Sequence, residues 1–504
     1  MKIFNANQIR AWDKFTLEQQ QISSLQLMER AVLNCLPIVL KNITFKNTIF
    51  IFCGNGNNGG DGLVLVRLLR DLGYKITCVV FEATTNLSPE NTIIRKRIEV
   101  SHSLVIVKDI KDIESLNFDD NTVIIDAIFG IGLNRILEGF YAELISVLNV
   151  TKCYKKISID VPSGLLGDIT QLQKNQVVFK ADLTLSFQQT KTSFLFDETG
   201  FFAGEVVVID INLSKEFEQK ENTNFYFFDR KDAAEIFEKK AAFESKHTYG
   251  HLLLIGGDSG KSGAIMMAAN AANYSGCGRI TVSTTKDSAS FLQINSPQAM
   301  VFFSKEYSSE ISVPKLSEFS AIAIGPGLGK EEEKVQLVRK IINEFKGPIL
   351  FDADAISILA DNKTWLAFLT PNSILTPHQY ELQKLTGISG DRTTMLSAAV
   401  ELAVKNKIIV VYKGKNTAIC LPNGDVVFNS SGNQALSKGG SGDLLTGYMG
   451  GLIAKGYSPA RAAMLACYMH GKAAEHALHH SSIDGMTFKD ILNGFNDIIT
   501  ELEN

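Results

Sequence analysis

The chain has 504 residues, 45% apolar and 21% charged, with a formal net charge of −4 and a pI near 6.1. That length exceeds one ordinary core and calls for two domains or more, and the charge balance lacks the basic field of a nucleic-acid binder. The seven cysteines are scattered without a CxxC pair, no apolar run is long enough to span a bilayer, and the N-terminus lacks a signal-peptide core; together these point to a cytoplasmic protein without disulfide framework, zinc motif or membrane anchor.

In chain order, Ile9, Trp12 and Phe15, then Leu27, Ala31 and Val32, recur at helical spacing and predict two helices over residues 5–41. A strand over 48–52 runs into a Gly-rich turn, Gly54-Asn55-Gly56-Asn57-Asn58-Gly59-Gly60-Asp61-Gly62, with a helix expected over 63–72. Strands are predicted over 75–81, 123–126, 157–160, 182–186 and 205–209. The charged stretch 214–222 reads as a linker. The rhythm then restarts, with strands over 251–255, 321–324, 349–351 and 408–412 and helices over 262–275, 331–345 and 394–405. A second Gly-rich turn, Gly439-Gly440-Ser441-Gly442-Asp443, opens a long helix, and another helix follows Pro459. Continuous apolar strands alternating with helices imply mostly parallel sheets covered on both faces. The chain reads as two α/β domains divided near residue 215.

The first turn has the G-x-G-x-x-G spacing of a phosphate-binding strand–helix junction, with Glu82 at the distance expected of a ribose-binding acid. A tight turn with no ligand has the same spacing. Asn57, Asn58 and Asp61 are more polar than a plain turn needs, and Asp126 and Asp160 end predicted strands, where open α/β sheets bind ligands. Val161-Pro162-Ser163-Gly164 would fold the Ser163 hydroxyl back toward the sheet edge. Asn, Asp and Ser oxygens converging there suit a hard cation, although an isolated Asp is more commonly a cap or turn former.

These segments resemble the NAD(P)HX epimerase (YjeF N-terminal) family in order and content: Leu27-Met28-Glu29-Arg30-Ala31, Asn57-Asn58-Gly59-Gly60-Asp61-Gly62, Asp126-Ala127-Ile128-Phe129-Gly130 and Asp160-Val161-Pro162-Ser163-Gly164. The resemblance covers most of residues 1–215. It implies a Rossmann-like three-layer domain that interconverts the R and S epimers of hydrated NADH or NADPH. By it, Asn58, Asp126 and Ser163 hold a potassium ion. Asn57, Asn58, Gly59, Gly60, Asp61, Gly130, Ile131, Gly132, Leu133, Asn134, Arg135, Ile136 and Asp160 contact the substrate, and Asp160 handles the proton. Lys191 and Asp197, in a polar stretch after a strand, are weaker candidates that read better as residues of a solvated loop.

At the second turn, glycine N–H groups and a helix N-terminus would form an anion hole, and Asp443 would accept a proton from a hydroxyl nucleophile. A helix-capping Asp after a flexible turn fits equally well. Gly325-Pro326-Gly327-Leu328-Gly329, Asp352-Ala353-Asp354-Ala355, Thr376-Pro377-His378 and Lys413-Gly414-Lys415-Asn416-Thr417 follow successive strands and so share one rim. Gly256-Gly257-Asp258-Ser259-Gly260-Lys261-Ser262 is not a Walker A loop, because Ile255 stands where that motif needs glycine. Lys261 reads as a surface or substrate-loop residue.

With Lys246-His247-Thr248-Tyr249-Gly250-His251 and Gly432-Asn433, this set resembles the ADP/ATP-dependent NAD(P)HX dehydratase family over about residues 226–500. The resemblance implies a ribokinase-like three-layer α/β domain, here 226–504. Ala264, Gly327, His378 and Asp443 would contact the hydrated nicotinamide. Lys413, Gly414, Lys415, Asn416, Thr417 and Gly442 would bind ADP or ATP with Mg2+. Gln379-Tyr380 and Ala435-Leu436-Ser437-Lys438 depart from the family's common pattern and leave the anion hole and Asp443 intact. The expected protein is a bifunctional repair enzyme for NADHX and NADPHX that releases AMP (or ADP) and phosphate, with Asp160 and Asp443 catalytic and a homo-oligomeric state. A small-molecule kinase fused to a Rossmann-like ligand-binding domain is the alternative; such a kinase has no need of an epimerase.

Overall fold

The computed structural model describes residues 1–81, 87–101, 104–168, 170–304 and 311–503, which form two compact units, one over Lys2–Thr223 and the other over Asn224–Asn504 with Met1. Glu82 lies outside the described residues.

In the first unit the strands are β1 (Thr48–Cys53), β2 (Lys75–Phe81), β3 (Val105–Val107), β4 (Thr122–Ala127), β5 (Lys155–Ile159), β6 (Leu183–Phe187) and β7 (Glu205–Ile209). They lie in the order β3-β2-β1-β4-β5-β6-β7, all parallel, and the strand order reverses between β1 and β4. Both faces are apolar: Ile49, Ile51, Val123 and Ile125 face one core, Phe50, Phe52, Val79 and Ile124 the other. The helix after the Gly-rich turn begins earlier than expected, at Asn57, and runs to Asp71. Its glycines therefore form its first turn instead of preceding it.

The segment read as a linker is a short helix, Lys215–Lys220, whose N-cap Ser214 accepts from the Phe217 N–H. Phe217 stacks on Trp12 with ring centroids 6.1 Å apart and meets Phe4 edge-on. The charges of this stretch face solvent while one aromatic anchors it, so its composition hid a packed element.

In the second unit the strands are β8 (Phe225–Phe228), β9 (His251–Ile255), β10 (Arg279–Ser283), β11 (Met300–Phe302), β12 (Ala321–Ile324), β13 (Ile349–Phe351), β14 (Ile374–Leu375), β15 (Ile409–Tyr412), β16 (Ala418–Cys420) and β17 (Val426–Asn429). Their order is β11-β10-β9-β12-β13-β14-β15-β16-β17-β8. The β11-to-β15 block is parallel, and β16 pairs antiparallel with both β15 and β17. Because β9, β12, β13, β14 and β15 run the same way, the motifs after each emerge on one rim. The helices Ser262–Tyr274 and Ser441–Lys455 pack closely, with Gly447 against Ala268: a Cβ there would stand 1.9 Å from the Ala268 carbonyl oxygen.

Candidate active sites

In the first unit a cavity of about 820 Å³ opens where the strand order reverses, at the C-terminal ends of β1, β4, β5 and β6. Asn57, Asn58, Asp61 and Asp160 line it, as does the whole loop Gly130, Ile131, Gly132, Leu133, Asn134, Arg135 and Ile136. Gly59 and Gly60, expected at the substrate, do not line it and are buried in the helix's first turn. A Cβ at Gly59 would stand 1.8 Å from the Gly54 carbonyl oxygen, and one at Gly60 would stand 2.7 Å from Met28 Cε. The Gly60 N–H donates to Gly56 O at 3.1 Å. Gly59 lets the helix seat on the strand end, and Gly60 leaves room for Met28 of the helix Ser24–Lys41.

Asp160 holds a left-handed backbone conformation, φ 63°, which is uncommon for a residue with a side chain. Its Oδ1 lies 2.9 Å from Lys191 Nζ, and its Oδ2 accepts from the Ile131 N–H at 3.3 Å. Lys191 is not in a solvated loop: its side chain is 2% exposed, and the ammonium also donates to Ser186 Oγ and Phe187 O at 3.0 Å. Asp197 is exposed, as expected. The burial of Lys191, a weaker candidate in the sequence, is legible only through its partner, which is 31 residues away.

Asp126 is fully buried in β4. Its carboxylate accepts from Ser163 Oγ at 2.5 Å, the Ser163 N–H at 2.8 Å, Ser158 Oγ at 3.1 Å and the Ile128 N–H at 3.2 Å. Burial still pushes its pKa up to about 6. Both polar atoms of the Asn58 amide are buried without a hydrogen-bond partner. The amide is wedged by Gly130, whose Cβ position would lie 3.3 Å from Asn58 Cγ and 3.2 Å from Asp160 Oδ2. An orphaned amide at the cavity wall is costly unless a ligand satisfies it.

Sequence reasoning missed Asp13. It lies four residues after Ile9 in the helix Ala6–Gln20, and both line the cavity. A carboxylate at helical spacing from an apolar anchor was the available signal. Burial, reinforced by the Asp160 charge and opposed by Lys191, pushes its pKa up to about 6. Asp61 is held well above the ordinary range by burial, then by Asp160 and Asp13.

In the second unit Asp443 sits in the first turn of the helix Ser441–Lys455. Gly440 is the N-cap, with φ 92°, so the capping role is not Asp443's. Burial, then the Asp352 charge, push the Asp443 pKa up to about 7, with Lys413 opposing. Asp352, at the end of β13, is 2% exposed. Its Oδ1 accepts from Thr376 Oγ1 at 2.7 Å and Lys413 Nζ at 3.0 Å, and its Oδ2 from Thr446 Oγ1 at 2.7 Å. These partners hold Asp352 below the usual carboxylate range despite its burial. Lys413 Nζ lies 4.0 Å from Glu381, and a Cβ on Gly442 would come 3.7 Å from it, so the glycine turn sits directly over the Asp352–Lys413 pair.

Around this center, Gly327 is packed on Ala264, whose Cβ would be 3.3 Å from a Cβ at the glycine. His378 N-caps the helix Gln379–Thr386 in a capping box with Glu381. Lys413 turns its ammonium inward. Gly414, Asn416 and Thr417 form a turn cradled by Arg392, which donates to Lys413 O at 3.4 Å and Asn416 O at 3.0 Å and lies 4.7 Å above the Tyr412 ring. The Asn416 amide donates to Asn429 O, and Lys415 is exposed. Lys261 is half-exposed and pairs with Asp354 at 3.3 Å. Thr376 lay in a rim motif, but Thr446 and Arg392 were not legible as site residues because their contacts join distant strand ends.

Comparison with known families matches residues 24–193 to the YjeF-related protein N-terminus model and residues 252–496 to the NAD(P)H-hydrate dehydratase model. The bifunctional NAD(P)H-hydrate repair enzyme Nnr of Coxiella burnetii is 31% identical over 491 residues, 97% of each chain. The protein of the same name from Thermofilum pendens is 30% identical, covering 98% of this chain and 95% of its own. Among solved structures, a ribokinase-like superfamily protein of Enterococcus faecalis aligns with TM-score 0.50 and 23% identity, covering 56% of this chain and 98% of its own. That likeness shows the fold of the second unit. Among the described residues no helix is long and apolar enough to cross a membrane.

Proposed function

The chain belongs to the family of bifunctional NAD(P)H-hydrate repair enzymes, and we propose that its first unit epimerises R- and S-NAD(P)HX while its second dehydrates the S epimer to NAD(P)H at the expense of ADP or ATP. The observation that carries the second half-reaction is Asp443: a carboxylate at a helix N-terminus, pushed to about pH 7 beside a glycine turn. At neutral pH such a group takes a hydroxyl proton readily. The freed oxygen attacks the terminal phosphorus, and AMP (or ADP) leaves. The ring nitrogen's lone pair then expels phosphate from the same carbon, and loss of the neighbouring ring proton restores the dihydronicotinamide. Backbone N–H groups of the turn at Gly440 to Gly442 stabilise the transferring phosphoryl group. Mg2+ would come with the nucleotide and screen its phosphate charge. The carboxylates Asp352 and Asp354 are already tied to Lys413, Thr376, Thr446, Lys261 and the Gly329 N–H.

In the first unit Asp160 is the proton-handling residue and Lys191 the group that holds it in place. The potassium site would use Asn58, Asp126 and Ser163. The orphaned Asn58 amide fits that reading, and the donors are all hard oxygens. Asp126 would give up one of its four hydrogen bonds to the ion. The ion supplies a fixed positive charge at the cavity wall. A cytoplasmic homo-oligomer acting on NADHX and NADPHX, with no nucleic acid or membrane partner, completes the proposal.

The test is to supply mixed NADPHX epimers, K+ and Mg2+ with either ADP or ATP and to follow the return of reduced-nicotinamide absorbance. Recovery with one nucleotide supports the reading and identifies the donor. Absence of recovery with both, or a stable phosphorylated product, contradicts it and favours a kinase.

A further inference from the structure

We propose that Asp13 is a second catalytic carboxylate of the epimerase site, acting on the substrate hydroxyl from the first helix while Asp160 acts from the end of β5. The proposal rests on the epimerase reading of this cavity and extends it.

Epimerisation of a hydrated dihydronicotinamide inverts one carbon that bears both a hydroxyl and the ring nitrogen. The least demanding route opens the ring. A base takes the hydroxyl proton, a C=O bond forms, and the C–N bond breaks with its electron pair going to the ring nitrogen, where conjugation with the carboxamide spreads the charge. Rotation of the aldehyde presents its other face. The nitrogen attacks that face, the C–N bond re-forms, the C=O pair moves to oxygen, and that oxygen takes up a proton. One proton is removed and one returned, and the oxygen stands on opposite sides of the ring before and after. A single carboxylate would have to follow the oxygen across the ring. Two carboxyl groups on different walls, sharing one proton, need not move.

The cavity holds such a pair. Asp13 comes from the helix Ala6–Gln20 and Asp160 from the turn after β5, and both line the same space. The Asp160 charge adds to burial in raising the Asp13 pKa. Their environments differ. Asp160 is clamped by Lys191 at 2.9 Å and by the Ile131 N–H. Burial favours the protonated form of Asp13, with Lys191 opposing. The reaction requires one carboxyl group that accepts a proton and another that returns one. Running the reaction in the opposite direction exchanges the two roles. Asp61 lines the same space from the first turn of the helix Asn57–Asp71.

The experiment uses the full chain and purified R-NADPHX or S-NADPHX without nucleotide, with epimer composition followed by chromatography. In wild type both epimers should converge on one mixture, which establishes the epimerase reading independently; failure at this step sinks that reading and the proposal with it, whereas the variants below test the role of Asp13 alone. Asp13→Asn should lower kcat for exchange by about a hundredfold or more, in the range of lost acid–base catalysis, with KM changed less than threefold. Asp13→Glu should recover at least a tenth of the wild-type rate. Wild-type exchange in Asp13→Asn overturns the proposal. So does a loss in Asp13→Asn that the glutamate variant fails to recover, or one that appears mainly in KM, since either marks a structural role.

Discussion

At the scale of single residues, both sites use buried carboxylates whose partners decide their protonation. Asp443 and Asp352 are neighbours with opposite fates. Asp352 collects Lys413, Thr376 and Thr446 and stays ionised, and its charge helps push Asp443 up to about 7. Asp443 must be deprotonated to act as a base, so the dehydration rate should rise with pH through about 7. In Asp352→Asn the repelling charge is gone while Lys413 remains. The rise should therefore move to lower pH, which a kcat/KM profile against pH will show. A profile that stays in place would mean that Asp352 does not tune Asp443. In the first unit, Lys191→Met leaves Asp160 without its cation in a nearly closed environment. Breaking a buried pair from one side costs about 3–5 kcal/mol. Thermal denaturation should show the loss of stability, and exchange of the epimers should fall with it.

At the scale of elements, the sites depend on helices that start tightly against strand ends. Gly59 allows this in the first unit: any Cβ would meet a backbone oxygen that has no rotamer to escape into. Gly59→Ala should cost about 1–3 kcal/mol by overpacking and impair epimerisation without altering the S-epimer dehydration rate, measured by melting and by the two assays side by side. Most of this was readable in the sequence where a signal is local. The strand–turn–helix junctions at Gly54 and Gly439, the strand-end carboxylates Asp126 and Asp160, and the rim of strand ends in the second unit were all legible because glycines and Asp at strand ends mark backbone geometry directly. The short strands β3, β11, β14 and β16 have two or three residues each and no pattern of their own. The helix Lys215–Lys220 was masked by its charges. Asp13 and Lys191 were unreadable as a pair of functions because each takes its meaning from Asp160, which is distant in the chain.

At the scale of the whole molecule, two parallel-sheet units carry two complementary half-reactions on one chain. The R epimer, useless to the dehydratase, becomes its substrate through the epimerase. The half-reactions should separate cleanly by mutation: Asp443→Ala should exchange epimers at the wild-type rate, and Asp160→Ala should dehydrate the S epimer at the wild-type rate, each followed by its own assay. The most direct measurement starts from purified R-NADPHX alone, with K+, Mg2+ and the active nucleotide, and follows reduced-nicotinamide absorbance over a time short compared with spontaneous exchange. The account predicts full recovery by wild type, little by Asp160→Ala and none by Asp443→Ala. Recovery from the R epimer in Asp160→Ala equal to wild type, or none in wild type when the S epimer is repaired, would contradict it.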